Sequence, residues 1–184
     1  MTAEAWIKLE EDVAMRVTNP GVTRLEEMRN RSGLEFLRDI ASGILPVPPI
    51  GKTLNFFLMA VEEGRAVFQG TPTFDFYNPI GSVHGGWAAT LLDSCMGCAV
   101  QTTLKQGFGY TTVELKLNLV RPLTEKTGPL RAEGKVIHPG RQVATSEGRL
   151  NGPDGKLYAH GTTTCVIFEI PTSPRPSPPK AERE

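Results

Sequence analysis

The chain has 184 residues, 39% of them hydrophobic, with twenty lysines and arginines against twenty aspartates and glutamates. That is apolar material for one core of ordinary size, and a formal net charge of zero supplies no field to draw the protein to nucleic acid or an anionic membrane. Three cysteines imply no disulfide framework, and the first ten residues lack a basic stretch leading into an apolar run, so a cytoplasmic protein is expected.

Residues 1–50 read as a polar, helical packing arm. Thr23 with Glu26, and Ser32 with Glu35, have capping-box spacing, in which a hydroxyl and a carboxylate each satisfy a free amide at a helix start. Leu34, Leu37 and Ile40 follow as a narrow apolar stripe, which Gly43 and the prolines Pro46, Pro48 and Pro49 bring to an end.

A single domain is expected over residues 51–170. From Thr53 the period becomes two, through Leu54, Phe56 and Leu58. A turn at Glu62-Glu63-Gly64-Arg65 and a return through Ala66 and Phe68 complete a hairpin. Beyond the turn-rich Asn78-Pro79-Ile80-Gly81 comes one long apolar segment from Gly86 to about Leu104. The stretch from Gly85 to Leu104 is as long as a membrane span, yet it carries Asp93, Gln101 and several Gly, Ser and Thr, so it reads as a buried helix.

Four strand-like runs follow: Thr111–Val120, Leu130–Ile137, Val143–Leu150 and Leu157–Phe168. Turn signals at Pro122–Gly128, Pro139-Gly140 and Asn151–Gly155 separate them. A helix apolar nearly all round must be covered on more than one side, and an antiparallel sheet of about six strands curling around it does so, giving an α+β fold. Residues 171–184 include five prolines among fourteen positions and are expected to stay disordered.

Asp93 is the only carboxylate in the interior helix segment, flanked by Leu91, Leu92, Cys95 and Met96. Burying a lone carboxylate costs several kcal/mol unless it is paired or protonated. It therefore either reaches the surface, bonds a neighbouring hydroxyl such as Ser94 or Thr90, or serves as a base sharpened by desolvation.

His84-Gly85-Gly86 stands where the first-turn amides have no partners within the helix and the positive end of the dipole points outward. Such amides can stabilise an oxyanion, although paired glycines also serve as plain punctuation. Gly85 and Asp93 are eight residues apart, about 12 Å along a helix axis. Both can act on one carbonyl only if the Asp comes from a second, antiparallel copy, which makes two composite sites about a two-fold axis.

The remaining patterns are weaker. Cys95-x-x-Cys98, lying mid-helix with no second ligand pair, is assigned to packing. Dinucleotide, phosphate-loop and zinc-protease signatures are absent from the sequence.

Asn78-Pro79-Ile80-Gly81-Ser82-Val83-His84-Gly85-Gly86, followed by Ala88-Ala89-Thr90-Leu91-Leu92-Asp93, resembles the signature of the PaaI-like hotdog thioesterases. The similarity runs from about Leu54 to Phe168, through Arg121-Pro122 and Gly140-Arg141. The resemblance implies a hotdog fold, dimers often paired into homotetramers, and hydrolysis of acyl-CoA without a metal or other cofactor, coenzyme A being part of the substrate.

Carried over by position, Gly85 resembles the carbonyl-polarising amide and Asn78 the side chain that orients thioester or water. Asp93 of a partner resembles the general base or nucleophile, and Thr112, with Thr111 one register away, the hydroxyl that holds water. His84 and Gly86 would shape the thioester's surroundings. Arg141, with His138 and Arg121, would meet the coenzyme's phosphates, though each also reads as a solvated loop charge. Trp87, Met96 and Phe57 are candidate acyl-pocket residues or plain core.

Two other functions compete, an acyl-CoA sensor and a hotdog hydratase or dehydratase. Residues 1–45 hold six basic and eight acidic side chains, net minus two, which makes a poor nucleic-acid arm. An expensive buried Asp93 suits hydrolysis better than sensing.

Overall fold

The computed structural model describes residues 2–17 and 20–172. All but the first two residues of the proline-rich stretch expected to be disordered lie outside the described residues. Five α-helices run as α1 (Ala3–Arg16), α2 (Leu25–Arg29), α3 (Gly33–Ser42), α4 (Pro49–Thr53) and α5 (Gly85–Gln101). The strands are β1 (Phe56–Glu62), β2 (Arg65–Gly70), β3 (Phe108–Leu119), β4 (Leu130–His138), β5 (Val143–Asn151) and β6 (Leu157–Glu169). They form one antiparallel sheet in the order β1-β2-β4-β5-β6-β3.

Helix α5 packs against every strand of this sheet. Leu91, Leu92, Cys95, Met96, Ala99 and Val100 are wholly buried, as a helix apolar nearly all round requires. Glycines let it sit deep: a Cβ at Gly134 would collide with the Cys95 carbonyl, and one at Gly148 would lie 2.8 Å from Met96 Cγ. This is the expected hotdog architecture, a six-stranded sheet wrapped around one long helix.

Two local expectations are corrected. Thr53 and Leu54 do not begin the first strand: Pro49 opens the short helix α4 with its φ already set for a first turn, and Asn55, at φ 49°, turns the chain into β1. Thr23 does not cap a helix either. Helix α2 starts one residue later, with Arg24 at its N-cap and no side-chain cap bond. The Ser32–Glu35 capping box forms, with Ser32 N–H donating to Glu35 Oε2 at 2.8 Å.

The arm packs on the sheet. On β2, Ala66 and Phe68 face α5, whereas Val67 and Gln69 face outward and are nonetheless buried, Gln69 against α1. Gln69 Nε2 donates to the Trp6 carbonyl at 2.7 Å and to Glu10 Oε2 at 2.9 Å, and Thr71 Oγ1 donates to the same oxygen at 3.0 Å. Arg131 Nε donates to Gln69 Oε1 at 2.8 Å, with its guanidinium 4.2 Å from the Trp6 ring centroid. Burial raises the Glu10 carboxyl above its ordinary pKa, against the pull of its bonds from Gln69 and Thr71.

Strand β3 ends the sheet and, among the described residues, pairs only with β6. Between Thr112 and Glu114 its register shifts by one residue. An inserted residue reverses the alternation of a strand, so Thr112 and Leu119, which plain counting puts on opposite faces, both point toward α5.

Candidate active site

Helix α5 begins at His84, the N-cap, whose Nδ1 accepts from Gly86 N–H at 2.9 Å. His84 N–H donates to the Phe76 carbonyl at 2.7 Å, and Val83 N–H to the Leu123 carbonyl at 2.9 Å, anchoring the helix start to its surroundings. The Gly85 N–H has no acceptor among the described residues. It lies beneath the end of β3, since a Cβ at Gly85 would come within 2.6 Å of Leu119 Cδ1. One free amide at the positive end of a seventeen-residue helix is a donor suited to a developing oxyanion.

Two turns further along, Asp93 is half-buried and its Oδ1 accepts from Thr112 Oγ1 at 3.0 Å. The donor is Thr112, not the exposed Thr111, and neither Ser94 nor Thr90 supplies this bond; Thr90 Oγ1 donates to the Gly86 carbonyl instead. The remainder of the carboxylate faces a hollow that Ser94, Cys98 and Tyr110 also line. Burial pushes the Cys98 thiol up to about 12, a bond with Tyr110 pulls it down, and Asp93 pushes it further up. Cys95 lies in the core with its thiol raised well above the ordinary value by burial.

Asn78 is committed to its own loop. Its Oδ1 accepts from Ile80 N–H at 3.1 Å and Ser82 N–H at 3.2 Å, and its Nδ2 donates to Ser82 Oγ at 3.0 Å. The side chain closes the turn that delivers the chain to α5, and no bond joins it to Asp93 or Thr112. The Asx-turn potential of Asn78-Pro79-Ile80-Gly81 carried that signal.

The basic residues divide between the two ends of β3. Arg121 follows β3 at the Gly85 end and donates to the Leu157 carbonyl. His138 and Arg141 are exposed at the β4–β5 turn, which stands at the Thr112 end: Ala144 pairs with Cys165, and Cys165 with Thr112. Of the residues considered for an acyl pocket, Trp87 and Met96 are core, 2% and 0% exposed. Phe57, also buried, lines the hollow.

Within one protomer, then, the structure joins Thr112 to Asp93 and leaves Gly85 at the far end of β3. Among the described residues no group of three or more His, Cys, Asp or Glu is placed to hold a metal ion, and no helix is long and apolar enough to cross a membrane.

The chain is similar to known proteins over this same region. A family model described as the thioesterase superfamily matches residues 80–159. A candidate esterase of Saccharolobus solfataricus is 34% identical over 119 residues, 65% of this chain and 83% of that protein. The 1,4-dihydroxy-2-naphthoyl-CoA hydrolase of Listeria monocytogenes is 23% identical over 119 residues, 63% of this chain and 93% of that enzyme. Among solved structures, a phenylacetic acid degradation-related protein of Ralstonia eutropha JMP134, a candidate thioesterase, superposes with a TM-score of 0.64 at 33% identity. The match covers 74% of this chain and 99% of that one.

Proposed function

The chain belongs to the thioesterase superfamily, as a hotdog-fold relative of the PaaI proteins, and from that premise we propose that it hydrolyses acyl-CoA thioesters to free acid and coenzyme A. The Thr112–Asp93 hydrogen bond of 3.0 Å carries the proposal. It holds a carboxylate at the wall of an apolar hollow, with a hydroxyl beside it that can position water. The hydrolase from Listeria, which acts on an acyl-CoA by its name, supports the substrate class.

The active unit is a dimer. Among the described residues β3 has a free edge, and Val113, Leu115 and Leu119 along it are 57%, 38% and 55% exposed, an apolar edge of the kind that pairs with another chain. If two copies of β3 pair antiparallel about an axis between Leu115 and Lys116, Thr112 of one copy falls opposite Leu119 of the other. Because the bulge turns both side chains toward the helices, Asp93 of one protomer then approaches Gly85 of its partner. The same axis brings Arg121 of one copy toward His138 and Arg141 of the other, gathering positive charge for the coenzyme's phosphates.

In this arrangement the thioester carbonyl accepts a hydrogen bond from the Gly85 amide at the helix start, with His84 holding the Gly86 amide in place. Asp93 from the other protomer, fixed by Thr112, takes a proton from water as it attacks, or attacks directly through an anhydride. No metal or other cofactor has a part in the proposed reaction, and the dimers can pair further into a homotetramer.

Free thiol released from a panel of aromatic and aliphatic acyl-CoAs tests the reading. Asp93→Ala and Asp93→Asn are expected to cut turnover by about a hundredfold or more with the oligomer intact. Full activity in either variant would refute the role of Asp93, and tight acyl-CoA binding without hydrolysis by the wild type would make the protein a sensor.

A further inference from the structure

The hollow at Asp93 has a volume of about 190 Å³ and extends from the carboxylate toward the N-terminal arm. Its inner part is walled by Phe56 and Leu58 of β1, Phe68 of β2, and Leu37, Ile40 and Ala41 of α3. Toward the mouth stand the half-buried Val13 and Val17 from the end of α1 and the exposed Arg16, and the buried Phe57 completes the lining. We infer that this hollow receives the acyl group of the thioester, and that the N-terminal arm sets how large that group can be. The inference rests on the thioesterase reading of Asp93.

Position argues for it first. A thioester held beside Asp93 has two branches, and the largely apolar space suits the acyl branch, because the coenzyme's phosphates would be desolvated at its inner end without partners. Polarity argues the same way. Apart from Asp93 itself, the polar groups beside the carboxylate are the Ser94 hydroxyl, the Cys98 thiol and the Tyr110 phenol. None offers a cation to a charged acyl group, and Arg16 is out at the mouth.

Size sets the class. A dry apolar cavity of about 150 Å³ accepts a benzene ring, so this one accommodates a ring with a methylene or two, or an aliphatic group of about six to eight carbons. The substrate class is therefore a compact, uncharged, apolar acyl group. The arm's contribution is direct, since α3 supplies one wall and the bonds of Glu10 to Gln69 and Thr71 hold α1 where Val13 and Val17 reach the mouth.

The test uses the full-length protein and non-hydrolysable S-alkyl thioethers of coenzyme A, with binding measured by calorimetry. From ethyl to hexyl, affinity is expected to rise about fourfold per methylene, and S-benzyl against S-hexyl tells ring from chain. Ala41→Phe, which fills the hollow, should collapse the hexyl-to-ethyl ratio at least tenfold. Ile40→Ala, which enlarges it, should move the optimum to longer chains, and melting curves verify that each variant is folded.

An unchanged chain-length profile in either folded variant overturns the inference. If the profile shifts as expected but no acyl-CoA is hydrolysed, the hollow keeps its assignment and the thioesterase reading falls. If hydrolysis depends on Asp93 while Ala41→Phe leaves the ratio unaltered, the thioesterase reading stands and the hollow loses its assignment.

Discussion

At its start, helix α5 presents bare backbone: glycines at positions 85 and 86, a histidine cap, and one amide without an acceptor beneath an exposed leucine. At Asp93 the same helix presents a side chain held by Thr112 and surrounded by apolar walls. The first region offers a fixed dipole and needs no side chain. The second offers a proton acceptor and needs enclosure. Neither can do the other's work, and about 12 Å of helix keeps them apart in one protomer, so their difference is the physical argument for a partner.

The most damaging change to the first region is removal of its donor. Gly85→Pro deletes the N–H at the first helical position, where proline is well accommodated, and His84, at φ −61° and ψ 134°, already has the extended backbone that a residue before proline adopts. The proline variant's turnover should fall on the order of a hundredfold, well below that of Gly85→Ala, which displaces Leu119 Cδ1 with the same Cβ but keeps the N–H. If the proline variant keeps wild-type turnover, the bare amide is not the oxyanion donor.

The second region is sharpened by Thr112→Val, which keeps the shape of the side chain and removes the hydroxyl. Loss of a hydrogen bond to a charged acceptor predicts a fall of about tenfold. It should appear in kcat with KM little changed, because the bond orients a reacting group rather than the substrate. A rise in KM alone would make Thr112 a pocket residue.

The smallest effect belongs to the arm. Burial raises the Glu10 carboxyl above its ordinary value of 4.5, so its contribution to stability is complete below about pH 4.5 and is lost as pH climbs through the raised value. Glu10→Gln keeps an acceptor oxygen and cannot ionise. It should melt a few degrees above wild type at pH 8, with the gap closing near pH 4. An equal or higher melting temperature for the wild type at pH 8 would contradict the buried-charge account.

The two regions also differ in how far the sequence announces them. Gly85, Asp93 and their spacing are visible because a lone acid in an apolar helix and a pair of glycines at its start break a pattern. The strands β3 to β6 are visible because turn residues punctuate runs of period two, and their ends fall within about three residues of those expected. The bulge at Val113 is not visible: no glycine marks it, yet it decides that Thr112 shares a face with Leu119.

The docking of α1 was hidden for a related reason. It depends on polar bonds between segments, such as Glu10 to Gln69, that carry no hydrophobic period. Gln69 in a strand and Glu10 in a polar helix each look solvent-facing until they meet.

The composite site is tested most directly by mixing two inactive chains. Gly85→Pro and Asp93→Ala protomers, co-expressed or exchanged in solution, form a hybrid dimer in which one site combines an intact Gly85 with an intact Asp93 while the other lacks both. With random pairing about half of the dimers are hybrids, so activity should return to about a quarter of wild type. If the mixture stays as inactive as its components while the hybrid is shown to form, Gly85 and Asp93 do not act across the interface.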